Sequence, residues 1–208
     1  MNNSSKMILR ITIILGLAIA IISLYLLITT QNDSRPMAGQ GSPIQDDVKI
    51  GGDFELIDQD GNPYNSKSLK GKLSLIYFGF TYCPDICPTS LQKLTQVLNA
   101  LDKYNIDVNA LFITVDPERD TSKVLKEYTS HFHKKFAALT GSVEQIRKVA
   151  DQFKVYYAKA PNAANGHYML DHSSFVYLLD KDGKYLKHFY LNSTADEVIE
   201  FIRVNNKN

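Results

Sequence analysis

The chain has 208 residues, 44% of them hydrophobic, which is enough for one domain with a real core plus an appendage. Its charges nearly cancel, 23 Lys+Arg against 22 Asp+Glu, and no basic block is interleaved with aromatics, so neither nucleic acid nor another polyanion is indicated as a partner. Two cysteines exclude a disulfide-rich scaffold. The first element in chain order is the uncharged stretch Ile11–Thr30, long enough to cross a hydrocarbon core of roughly 30 Å as a helix and not followed by a small-x-small cleavage site. Residues 1–30 are therefore expected to be a membrane anchor. Lys6 and Arg10 precede the stretch, whereas Asp33 offsets Arg35 after it, which puts the amino terminus on the cytoplasmic side. Too little sequence precedes the span for a mitochondrial presequence, so the expected location is a bacterial inner membrane, single-pass, with the soluble domain in the periplasm. That compartment is oxidising, and an accessible dithiol there needs a reductant or a metal.

Residues 31–50, with Pro36, Gly39, Gly41 and Pro43, read as a linker, and residues 51–208 as one domain. Phe54–Asp58 and the turn signal Asp60-Gly61 predict a hairpin, followed by a strand over Leu73–Phe80. Leu91, Leu94, Leu98 and Leu101 recur at helical spacing before a strand at Ala110–Val115. Val124, Leu125, Tyr128 and Phe132 mark a second helix, Phe136–Leu139 a short strand, and Val143, Ile146, Val149, Ala150 and Phe153 a third helix. Strands over Ser173–Leu179 and Tyr185–Leu191 flank Asp180-Lys181-Asp182-Gly183 as an antiparallel hairpin, and Val198, Ile199, Phe201 and Ile202 face a final helix. Parallel crossovers followed by a hairpin and a helix predict an α/β, thioredoxin-like sandwich with an amino-terminal hairpin. Leu73–Phe80 lacks strict alternation, as a central strand covered on both faces should.

The chemistry concentrates at Cys83-Pro84-Asp85-Ile86-Cys87-Pro88, where a strand hands both thiols to the start of a helix. With Pro88 at the first helical position, Cys87 would lie near the N-cap, where orphan amides and the dipole favour a thiolate. A disulfide between them would close a tiny loop and stabilise weakly, which argues against a mere staple. Three intervening residues depart from the two of a thioredoxin-type redox site. Thiolate pairs select soft metals, but two cysteines need a third ligand of another type.

Among His131, His133, His167, His172 and His188, the choice falls on His172. In Leu170-Asp171-His172-Ser173 it enters the strand that passes beside the dithiol in a thioredoxin-like topology, at the point where thioredoxins place a proline. His131, His133 and His188 read as surface or hydrogen-bonded residues, and His167 as a weaker accessory candidate. Asp171 either orients His172 or caps the turn. Asp116, Glu118, Arg119 and Asp120 read as a solvated loop with internal ion pairs, with partner contact by Asp116 and Arg119 as the other reading. A peroxidase start at Cys87-Pro88-Thr89 lacks its supports, because Pro84 and Phe80 stand where peroxiredoxins carry Thr and Pro.

Tyr82-Cys83-Pro84-Asp85-Ile86-Cys87-Pro88, Val115-Asp116-Pro117-Glu118-Arg119-Asp120-Thr121 and Asp171-His172-Ser173 together resemble the Sco/SenC copper chaperones of cytochrome c oxidase assembly. The resemblance extends over about Gly51–Asn205 and agrees with a single amino-terminal span. It implies copper, Cu(I) or Cu(II), held by Cys83, Cys87 and His172. The implied recipient is the copper A centre of cytochrome c oxidase subunit II, with other copper chaperones or thiol reductants as further partners. It implies transfer rather than turnover. The alternative is a thiol-disulfide oxidoreductase that keeps the oxidase's copper-site cysteines reduced, cycling Cys83 and Cys87 through a disulfide.

Overall fold

The computed structural model describes residues 15–25, 49–160 and 168–206. The chain divides into two compact units, Met1–Val48 and Lys49–Asn208. In the first, residues 15–25 form a helix, α1, with exposed side chains. Among the described residues no helix is long and apolar enough to cross a membrane. The two ends of the expected span, residues 11–14 and 26–30, lie outside the described residues, as does most of the expected linker.

The second unit is built on a seven-stranded mixed sheet. β1 (Glu55–Asp58) and β2 (Pro63–Asn65) form the expected antiparallel hairpin. β3 (Ser74–Gly79), β4 (Asn109–Thr114) and β5 (Phe136–Thr140) are parallel neighbours, and β8 (Val176–Leu179) and β9 (Tyr185–Phe189) add an antiparallel pair beside β3. The order across the sheet is β2-β1-β5-β4-β3-β8-β9. All six residues of β3 are buried, because the strand lies inside the sheet and is covered on both faces.

The helices follow the apolar spacing. α2 (Ile86–Lys103) buries Leu91, Leu94, Leu98 and Leu101, and packs against α5 (Ala195–Asn205). α4 (Val143–Phe153) starts with a capping box in which Ser142 and Gln145 satisfy each other's backbone amides; it buries Ile146, Val149 and Ala150 but leaves Val143 exposed. α3 (Ser122–Thr129) stops before Phe132, so the second helix is shorter than its apolar spacing predicted.

One difference bears on the site. The strand expected over Ser173–Leu179 begins only at Val176. Before it, β7 (Leu170–His172) pairs antiparallel with β6 (Tyr157–Lys159) in a separate two-stranded sheet. His172 therefore ends β7 and leads through Ser173–Phe175 into β8. In register, Gly79 of β3 lies opposite Thr114 of β4, and Tyr77 opposite Val176 at the start of β8. Three segments thus reach one edge of the sheet: the cysteine loop after β3, the Asp116–Asp120 loop after β4, and His172 before β8.

Candidate metal centre

The cysteine loop is fixed from both ends. Thr81 donates to the Asp120 carboxylate through its amide (3.0 Å) and its hydroxyl (2.6 Å), and Asp120 also accepts from the Thr114 hydroxyl at 2.6 Å. Asp120 is fully buried, and burial raises its pKa even though these donors favour the charged form. At the other end α2 begins at Ile86, with Asp85 at the N-cap. Cys87 is thus the second helical residue and Pro88 the third, two positions later than the sequence suggested. Pro88 still falls among the first four residues, whose amides have no intrahelical partner.

That shift changes which sulfur the helix start stabilises. The Cys87 amide donates to Cys83 Sγ at 3.4 Å. Cys83 is half-buried, and its pKa is lowered to about 5, first by a hydrogen bond from the Cys87 thiol and then by the amides of Cys87, Asp85 and Ile86, against the opposing effect of burial. Cys87 is fully buried and is pushed strongly upward, by that same bond and by desolvation. The pair therefore holds one thiolate, on Cys83, and one thiol, on Cys87. The Tyr77 hydroxyl donates to Cys87 Sγ at 3.8 Å, and its own pKa is raised, chiefly by burial. Gly79 leaves room for this sulfur, since a Cβ there would lie 2.8 Å from Cys87 Sγ.

His172 completes the group. Its Nε2 is 3.4 Å from Cys87 Sγ, and its Nδ1–H donates to the Ser173 carbonyl at 3.0 Å, which leaves the Nε2 lone pair facing the sulfurs. The ring is wedged edge-on against Phe80 (5.7 Å) and Tyr77 (6.4 Å). The three donor atoms all lie within 4.8 Å of one another. With metal–sulfur and metal–nitrogen bonds of about 2.3 and 2.0 Å, ligand atoms sharing one ion sit roughly 4 Å apart, so the residues fit a single ion. Two sulfurs and an imidazole make a soft donor set suited to copper and poorly suited to Mg²⁺ or Ca²⁺.

Of the other candidates, His133 is buried, facing Asp102 at 3.2 Å and accepting the Lys135 amide, and His188 packs among aromatic rings with the Tyr185 hydroxyl 2.6 Å from Nδ1. His131 is exposed. His167 lies outside the described residues. Asp171 is exposed, and the acceptor for His172 is the Ser173 backbone, so the orienting role considered for Asp171 falls to a carbonyl. The Asp116–Asp120 loop also differs from its reading as a solvated segment. Asp116 and Asp120 are 3% and 0% exposed, and only Glu118 faces outward. Their partners Tyr168 and Thr81 are 52 and 39 residues away, so no local pattern announces the burial.

The family model for SCO1/SenC matches residues 42–205. The chain belongs to the SCO1/SenC family. A SCO2-like protein of Rickettsia felis is 55% identical over 95% of this chain and 97% of its own length. The solved structure of Bradyrhizobium japonicum ScoI with copper bound shares 44% identity and superposes with a TM-score of 0.70 over 75% of this chain and 99% of that one. BsSco, a Sco family cytochrome c oxidase assembly protein in which a disulfide switch is identified, is 30% identical, with a TM-score of 0.63 over 76% of this chain and 94% of that one. The second unit is thus the thioredoxin-like α/β fold of Sco proteins.

Proposed function

We propose that this Sco protein is a membrane-anchored copper chaperone whose cargo ion is held by Cys83, Cys87 and His172. The copper is delivered to the copper A centre of cytochrome c oxidase subunit II. The observation that carries this reading is the convergence of two sulfurs and Nε2 within 4.8 Å at one sheet edge, from segments 85 residues apart. The family and the copper-bound relative support it.

The arrangement suits holding and release. Cys83 is already ionised near neutrality, so it binds a cation without first losing a proton. Cys87 keeps its proton until a metal displaces it. His172 presents its lone pair because Ser173 holds the other nitrogen. Three ligands leave room for a fourth, so a recipient thiolate can enter before these leave. The sequence of residues 11–30 supports the anchor, with residues 31–50 as linker and residues 51–208 facing the periplasm. Other copper chaperones or thiol reductants would load or reduce the site.

The test is competition for Cu(I) against a chelator, using reduced protein and single Ala replacements at the three positions. One copper per chain is expected, weakened by each replacement. Binding indifferent to His172 would remove the third ligand.

The thiolate–thiol asymmetry also favours a second reading. Cys83 could attack a recipient disulfide, forming a mixed disulfide and expelling one recipient thiolate. The Cys87 thiol would then lose its proton and attack Cys83, releasing the second thiolate and leaving an oxidised pair. Disulfide exchange with an oxidised subunit II fragment, at rates unaffected by His172→Ala, would favour this role.

A further inference from the structure

We infer that Arg119 is a positioning residue that holds the His172 strand against the cysteine loop. The loop over Asp116–Asp120 touches both ligand-bearing segments. Asp120 grips Thr81 at the start of the cysteine loop. Arg119, beside it, reaches the other way: Nη1 donates to the Tyr168 carbonyl at 2.8 Å, two residues before β7 begins at Leu170. Its guanidinium carbon lies 3.6 Å from the Tyr168 ring centroid and 4.6 Å from that of Tyr82, the neighbour of Cys83. Nε is paired with Asp116, whose other carboxylate oxygen accepts the Tyr168 hydroxyl at 2.6 Å. One side chain thus stacks with an aromatic residue from each segment and fixes the backbone of the histidine-bearing one.

The geometry needs such a clasp. Among the described residues β7, three residues long, pairs only with the three-residue β6, so His172 lies outside the seven-stranded sheet that supports the cysteines. A two-stranded ribbon is marginal alone. Its position relative to Cys83 depends on side chains that cross between the two segments, and Arg119 supplies the planar fork for the carbonyl and the flat face for both rings. Lysine would keep the charge but lose the fork and the stack.

The test is amide hydrogen exchange on the reduced, metal-free full-length protein, comparing wild type with Arg119→Met and Arg119→Lys. The reporters are the Ala160 and Ser173 amides, which bond to the Met169 and Tyr156 carbonyls across the ribbon. Both variants should exchange about ten-fold faster or more there, the size expected from losing a charge-assisted hydrogen bond and a cation–π contact, while Leu75–Phe78 amides keep their wild-type protection. Unchanged ribbon exchange, equal acceleration in β3, or full protection in Arg119→Lys would each overturn the assignment. The inference bears on function through the copper site proposed above, but this readout needs no metal. If copper affinity ignores His172→Ala while the ribbon still loosens in Arg119→Met, the copper reading fails and the positioning role stands.

Discussion

A negative charge on Cys83 needs donors, and the start of α2 supplies them. The Cys87 thiol and three successive amides converge on a sulfur that is only half-buried, whereas Cys87 has neither solvent nor a free helix amide. The sign follows directly. As pH rises through about 5, Cys83 loses its proton and becomes nucleophilic, and its reactivity levels off above that. Alkylation of the reduced, metal-free protein should therefore show an inflection near that pH and modify Cys83 rather than Cys87. Cys87→Ala removes the strongest donor and should move the inflection upward, toward the ordinary thiol value of about 8.5. An inflection already near that value in the wild type would remove the asymmetry. The sequence showed that these two residues mattered and that a helix start lay beside them. It misplaced that start by two positions because Pro88 suits any residue of the first turn, and so it directed the helix-start amides to Cys87, whereas the Cys87 amide itself donates to Cys83.

Elements meet at this edge with little slack. A methyl group at Gly79 would sit 3.0 Å from ring atoms of both Phe112 and Tyr77 as well as 2.8 Å from Cys87 Sγ, all in a packed interior. Gly79→Ala should cost about 1–3 kcal/mol by overpacking and displace Cys87, measurable as a lower melting temperature together with weaker copper retention. Asp120→Ala should cost on the order of 3 kcal/mol, since it strands the Thr81 amide and two hydroxyls. Because burial raises the folded pKa of Asp120, its contribution is fully present below the unfolded value and fades as pH rises through the folded one. The cost of the substitution, read from denaturant melts, should therefore be larger in acid than at neutrality; a cost that grows toward neutrality would contradict this. Long periodic elements such as α2 and the unbroken apolar run of β3 were legible from spacing alone. The β6–β7 ribbon was not, since a three-residue strand is too short for a period to show, and its role depends on the remote contacts of Arg119 and Tyr168.

At the scale of the whole molecule, the site would work where its recipient is, and residues 1–48 would set that place. The described helix over residues 15–25 carries Leu15, Leu17, Ile19, Ile21, Ile22, Leu24 and Tyr25 as exposed side chains, each 58% or more accessible. Apolar surface of that kind, continuous with the uncharged sequence on either side, is a cost in water and a gain in hydrocarbon. The second unit has its own buried core, running from Phe54 to Ile202 and holding Cys87 within it. The two units should therefore separate in function. Full-length protein is expected in the membrane fraction and to resist carbonate extraction. A chain starting at Lys49 should be soluble, with an unchanged melting transition and one copper per molecule. On the proposed topology, in which Lys6 and Arg10 keep the amino terminus inside, residues 49–208 should also be open to protease from the periplasmic side of spheroplasts. Membrane association persisting without residues 1–48 would place the anchor elsewhere, and protection from external protease would invert the proposed topology.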